Sequence, residues 1–121
     1  MSTTPTRITH LIGGTSWQGS PARTSPVFNP ATGEKLADVA NMTASDAKAA
    51  IDAANAAWPA WKAKTAKERS IILRKWFDLL TANTDDLARI LTAEQGKPFA
   101  EAKGEIAYGA SFVEWFAEEA K

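Results

Sequence analysis

Glu101 and Glu105 stand four residues apart, the spacing that brings two carboxylates onto one face of a helix. Such a pair could divide acid and base work if one partner were held protonated. Two glutamates so spaced are ordinarily surface residues, and nothing in their surroundings singles these out. Glu114, Glu118 and Glu119 likewise read as a solvated helix face. The only histidine, His10, has no second His or Cys nearby and reads as a solvated strand residue rather than a ligand or base. Cysteine is absent, which excludes disulfides, thiolate metal sites and a cysteine nucleophile within these residues. No G-x-G-x-x-G, G-x-x-x-x-G-K-S/T or G-x-S-x-G run occurs. Gly96-Lys97 follows a helix and precedes Pro98, the wrong setting for a phosphate loop. Lys67, Arg69, Arg74 and Lys75 form a basic patch, but nearby acids and the lack of interleaved aromatics argue against nucleic acid.

Composition agrees with that restraint. Fourteen basic residues balance fourteen acidic ones, so no net field draws the chain to nucleic acid or an anionic membrane. The 121 residues are 45% hydrophobic and 23% charged, ordinary for a soluble globular domain. No apolar run is long enough to span a bilayer, and MSTTPTRITHLIGG lacks the extended apolar core of a secretory signal. A cytoplasmic location is expected.

Residues 1–9 are rich in Thr and Pro and predict a disordered terminus, leaving 10–121 as one incomplete domain. His10–Gly19 predicts a β-hairpin turning at Gly13-Gly14, with Trp17 on the return strand. Ser20–Ser25 is a polar link. Val27–Glu34 ends a strand in a tight turn, with Pro30 and a positive-φ Gly33, and KLADVA (35–40) is another short strand. These strands over 10–40 look short and edge-like, too few for an independent sheet.

From Thr43 to residue 121 the pattern is helical. Thr43 and Asp46 resemble a capping box, and Thr65 and Glu68 form a cleaner one. Ile51, Ala54, Trp58 and Trp61 share one helix face, and Pro59 is expected to end or kink that helix near Trp58. In the next helix Ile72, Trp76, Leu79 and Leu80 should face a core. Thr84-Asp85-Asp86 opens a third helix, with Leu87, Ile90 and Leu91 as its buried stripe. Gly96 stops it as a left-handed cap, and Pro98 suits the first turn of the last helix.

That last helix carries two stripes: Tyr108, Phe112 and Trp115 on one side, and Ile106, Ala110, Val113 and Ala117 on another. The preceding residues cannot bury both, and no stop signal closes the helix before Lys121. The expectation is the opening segment of a larger protein. The Tyr108 stripe then either packs on the remainder or lines a pocket. Gly104 and Gly109 each cost about 1 kcal/mol inside a helix and suggest a crowded surface.

Five runs carry a resemblance: VFNPATGEKLADV (27–39), AAWPAWKA (56–63), TAKERSIILRKWFDLL (65–80), EQGKPFAEAKGEI (94–106) and AYGASFVEWFAEEAK (107–121). In unbroken order they resemble the N-terminal part of an aldehyde dehydrogenase, and the last is similar to the succinate-semialdehyde dehydrogenase branch. The implied parent fold is α/β. This segment is mainly α-helical, with a short N-terminal β-hairpin and strands. The implied activity is oxidation of an aldehyde, succinate semialdehyde in that branch, with NAD or NADP in the full-length parent. A cysteine thiolate attacks the carbonyl, hydride leaves to the nicotinamide, and a glutamate base assists hydrolysis.

No catalytic and no cofactor-binding residue can be carried onto this chain, so alone it is expected to bind no cofactor and to be inactive. The resemblance does place Tyr108 and Phe112 along the substrate tunnel. It also assigns a monovalent cation to the backbone carbonyls of Val27 and Phe28 with the carboxylate of Glu94. A homo-oligomeric parent is implied; the isolated chain is expected to self-associate, and no nucleic-acid or membrane partner is expected. The competing reading is a free-standing helical protein-binding module that docks through the aromatic helix.

Overall fold

Two glycines in succession let the first hairpin close tightly. In the computed structural model, which describes residues 6–17 and 23–121, Gly13 and Gly14 take φ of 59° and 77°. That left-handed pair makes the two-residue turn whose twist matches antiparallel strands. It joins β2 (His10–Ile12) to β3 (Thr15–Trp17), with His10 opposite Trp17 and Ile12 opposite Thr15.

A second, three-stranded sheet has the order β1 (Thr6–Ile8), β5 (Lys35–Ala40), β4 (Thr24–Phe28). β4 and β5 are antiparallel, joined by a turn in which the Asn29 amide donates to the Glu34 carbonyl at 2.8 Å and Gly33 takes φ of 73°. β1 lies parallel to β5, Thr6 beside Ala37 and Ile8 beside Val39. Residues 6–8, within the terminus expected to be disordered, form a strand, and β1, β4 and β5 pair as one sheet. The reason is non-local: β5 offers a free edge about thirty residues downstream, which local composition cannot announce. Residues 1–5, and Gln18 and Gly19 of the predicted hairpin, lie outside the described residues.

Helix α1 (Ala44–Lys62) starts where Thr43 and Asp46 satisfy each other. The Thr43 amide donates to the Asp46 carboxylate at 2.8 Å, and the Asp46 amide donates back to Thr43 Oγ1 at 3.2 Å. The Thr43 backbone bond is the main reason the Asp46 carboxyl lies below its ordinary range. The helix runs through Pro59 to Lys62 instead of ending near Trp58. Pro59 removes the donor that would bond the Asn55 carbonyl, and the helix continues past it at the cost of that bond. No residue of α1 is buried, so the expected packed face is open: Ile51 and Trp58 are exposed and Trp61 is half-buried.

The chain divides into two compact units, one reaching Pro59 and the other from Ala60 to Lys121. The second unit holds α2 (Ala66–Ala82), α3 (Thr84–Gln95) and α4 (Phe99–Glu119), with α4 packed on both α2 and α3. The Thr65–Glu68 box opens α2 as the sequence predicts, with both reciprocal bonds formed. Gly96 closes α3 at φ 82°, its amide bonded to the Thr92 carbonyl at 2.9 Å. Pro98 caps α4 one residue before its first turn.

Small side chains fill this unit's seams. The buried residues are Ser70 of α2, Ala88 of α3, and Ala102, Ala110 and Ala117 of α4. Ile72, Trp76, Leu79 and Ile90, expected to face a core, are exposed, whereas Leu80, Leu87 and Leu91 are half-buried. Helical periodicity marks an apolar face but does not say which of several apolar faces its own segment will cover.

Candidate functional site

Helix α4 presents its two stripes to different surroundings. Ala102, Ala110 and Ala117 are buried, with Ile106 and Val113 half-buried along the same side. At 100° per residue, Tyr108, Phe112 and Trp115 fall on the opposite side and Phe116 on a flank, and all four are exposed. Tyr108 is 67% exposed and Phe112 49%, so neither serves as a core residue of these three helices. Their rings meet edge to face, centroids 4.9 Å apart and planes at 82°. That geometry aligns the positive rim of one ring with the negative face of the other.

One turn further on, an open depression of about 700 Å³ lies along the helix and takes in Phe112, Trp115 and Phe116 with Ser111, Glu114, Glu118 and Glu119. Tyr108 is not among its lining residues. Its chemistry is aromatic with an acidic margin. It holds no histidine or cysteine, and among the described residues no group of His, Cys, Asp and Glu is placed to hold a metal ion.

The crowding expected around the glycines of α4 is not supplied by this segment. A Cβ at Gly104 or Gly109 would meet nothing within 4 Å among the described residues, so nothing in this segment requires them.

Charged residues fix α4 to its neighbours, and here the sequence reading missed the most. The Arg74 guanidinium on α2 donates to Glu114 at 2.9 Å and also to Glu118, one turn along α4. Lys121 donates to the other oxygen of Glu118 at 2.9 Å. The Glu118 carboxyl is held below its ordinary range, chiefly by Lys121 and then by Arg74. Arg74 holds its proton more firmly than usual, through Glu118 first and Glu114 second. Glu114 and Glu118 are therefore not simply a solvated face, and Arg74 is neutralised rather than part of a free basic patch. The available signal was two glutamates at i and i+4 within a chain carrying an arginine on an adjacent helix.

At the other end of α4, Lys103 reaches Asp85 of α3 at 2.7 Å and depresses that carboxyl. Glu105 pairs with Lys97. Phe99 sits beneath two cations, with Arg89 5.3 Å and Lys103 5.7 Å from its ring centre.

Val27 and Phe28 lie in the first unit, at the end of β4. The register against β5 shifts between them, and a shift of this kind releases backbone groups from the regular ladder. Glu94 lies in the second unit, exposed near the C-terminus of α3 and without a salt bridge among the described residues. His10 Nε2 donates to the Ala40 carbonyl, 2.9 Å away, and ties the hairpin to the sheet.

A dinucleotide does not fit the described residues. Its pyrophosphate needs a strand, a glycine-rich turn and a helix N-terminus with free amides. The one strand running into a helix is β5, and it reaches α1 through Asn41-Met42-Thr43, with no glycine. The Asp46 carboxylate and Thr43 hydroxyl already occupy that terminus. A second negative group would be repelled there.

Comparison with known proteins decides the family. The model of the aldehyde dehydrogenase family matches residues 17–121. The chain belongs to the aldehyde dehydrogenase family. It is 59% identical over 111 residues to the succinate-semialdehyde dehydrogenase [NADP(+)] of Escherichia coli, covering 92% of this chain and 23% of that protein. It is 63% identical over 99 residues to a glutarate-semialdehyde dehydrogenase of Pseudomonas aeruginosa, covering 82% of this chain and 20% of that one. The crystal structure of succinate-semialdehyde dehydrogenase from Burkholderia pseudomallei superimposes with a TM-score of 0.88 at 61% identity, over 92% of this chain and 23% of that one. The chain thus spans less than a quarter of the length of each of these relatives. The parent fold is α/β, and this segment supplies mainly helices with a hairpin and short strands, as the sequence implied.

Proposed function

We propose that these residues act as the N-terminal part of an NAD(P)-dependent aldehyde dehydrogenase that oxidises succinate semialdehyde to succinate, with Tyr108 and Phe112 facing the substrate's path. The observation carrying this reading is the exposed edge-to-face pair on a helix whose other side is already packed. An apolar pair with open space before it can guide the methylene carbons of a short semialdehyde while leaving the reacting carbonyl to other residues.

NADP is favoured as the oxidant by the Escherichia coli relative, a succinate-semialdehyde dehydrogenase [NADP(+)]. The cofactor would be held by parts of the enzyme outside this segment, and the misfit at α1 supports this. The carbonyl chemistry also lies elsewhere, since no cysteine is present here to form the thiohemiacetal. This segment's own work is to position and shield. Cytoplasmic placement and homo-oligomeric assembly of the whole enzyme belong to the same reading.

A chimera tests it. The 111 matching residues of the Escherichia coli enzyme are replaced by those of this chain, and NADPH formation is followed with succinate and glutarate semialdehydes. Retained turnover that responds to Tyr108→Ala supports the reading. A folded chimera with neither property sinks it.

A further inference from the structure

The buried positions of α4 are alanines, with Ile106 and Val113 only half-buried beside them, and no large side chain in the described residues is fully buried. Interlocking side chains are what oppose the sliding or rolling of one helix on another. Alanine contributes little that projects into a partner, so the seam itself sets the rotation of α4 only loosely. The polar contacts supply what the seam lacks. Arg74 binds two carboxylates one turn apart, Glu114 and Glu118, which a roll or a one-residue slip of α4 would separate. Lys103 with Asp85 pins the other end of the helix.

We propose that Arg74 is a positioning residue: through its double clamp on α4 it fixes the rotation at which Tyr108 and Phe112 meet the substrate. It acts by orienting the helix that carries both rings. A slip of one residue moves a side chain about 1.5 Å along the axis and turns it by about 100°. Such a change would carry Tyr108 off the substrate-facing side altogether. The guanidinium suits the task because its planar fork binds two acceptors at once, whereas an ammonium is a point charge. The inference rests on the substrate-facing reading of Tyr108 and Phe112.

The test uses the active chimera. Arg74→Met is expected to raise KM for succinate semialdehyde roughly five- to tenfold with kcat changed less than about twofold, and to alter the preference for succinate over glutarate semialdehyde. The pair Glu114→Gln with Glu118→Gln should reproduce both effects, and Arg74→Lys should fall between. If Arg74→Met does not fold, the glutamine pair and Arg74→Lys decide. A lowered melting temperature with unchanged KM and unchanged preference overturns the proposal and leaves Arg74 a purely structural residue. A chimera indifferent to Tyr108→Ala overturns the underlying reading and the proposal together. One sensitive to Tyr108→Ala but indifferent to every clamp variant overturns the proposal alone.

Discussion

Tyr108 and Phe112 meet edge to face on the side of α4 turned away from Ala110, with ring centroids 4.9 Å apart. The contact is worth about 0.5–1.5 kcal/mol at most, and both rings keep about half or more of their surface in solvent. Tyr108→Ala and Phe112→Ala in the chimera should therefore cost little stability. KM and the preference between semialdehydes should move instead, because the rings shape the approach rather than the core. Wild-type kinetics with a much lower melting temperature would show that the pair is packed in the whole enzyme.

The capping boxes predict an acid response. Asp46 and Glu68 have carboxyls held below their ordinary range, chiefly by the amides of Thr43 and Thr65. Asp85 and Glu118 are lowered by Lys103, and by Lys121 with Arg74. A folded-state pKa below the unfolded one stabilises the folded form above the unfolded pKa, and that contribution is lost as pH falls through the folded value. The far-UV circular dichroism of the chain should thus hold steady from neutral pH to the ordinary carboxylate range and decline below it. Thr65→Ala should lower helicity already at neutral pH, costing about 1 kcal/mol at α2. A flat signal down to strong acid would contradict this account.

The purified 121-residue chain should form no NADH or NADPH with succinate semialdehyde. It has no cysteine to attack the carbonyl, and the one strand-to-helix junction among the described residues is closed to a pyrophosphate by Asp46. Turnover above a boiled control would overturn the division of labour proposed for this segment.

What the sequence disclosed follows from the range of the interactions involved. The Gly13-Gly14 turn, the Thr65–Glu68 box and the Gly96 cap each depend on residues within a few positions, and each forms as expected. The strand at Thr6–Ile8 depends on an edge offered by Lys35–Ala40 and could not be read locally. The exposed stripe of Tyr108 and Phe112 was visible at helical spacing. The Arg74 clamp was not, because its partners lie forty and forty-four residues away, and their own neighbourhood looks like an ordinary acidic surface. The alanine seam was hidden for a related reason: small residues carry a weak hydrophobic signal, while the large ones that dominate the periodicity are those left uncovered.

Those uncovered residues predict the physical state of the isolated chain. Fourteen large apolar side chains are more than a third exposed, and no large one is fully buried among the described residues. Fully burying one such side chain is worth roughly 1.5–3 kcal/mol, so leaving several in water forfeits much of the 5–15 kcal/mol that stabilises a typical domain. Capped helices and ion pairs preserve secondary structure without supplying that deficit, because exposed pairs contribute little. The chain should be helical by circular dichroism, should bind a hydrophobic dye strongly, and should self-associate through the faces that α2 and α4 leave open. Sedimentation across a concentration series, together with a thermal melt, checks this. A monodisperse monomer that melts sharply and binds no dye would show that the chain completes its own core.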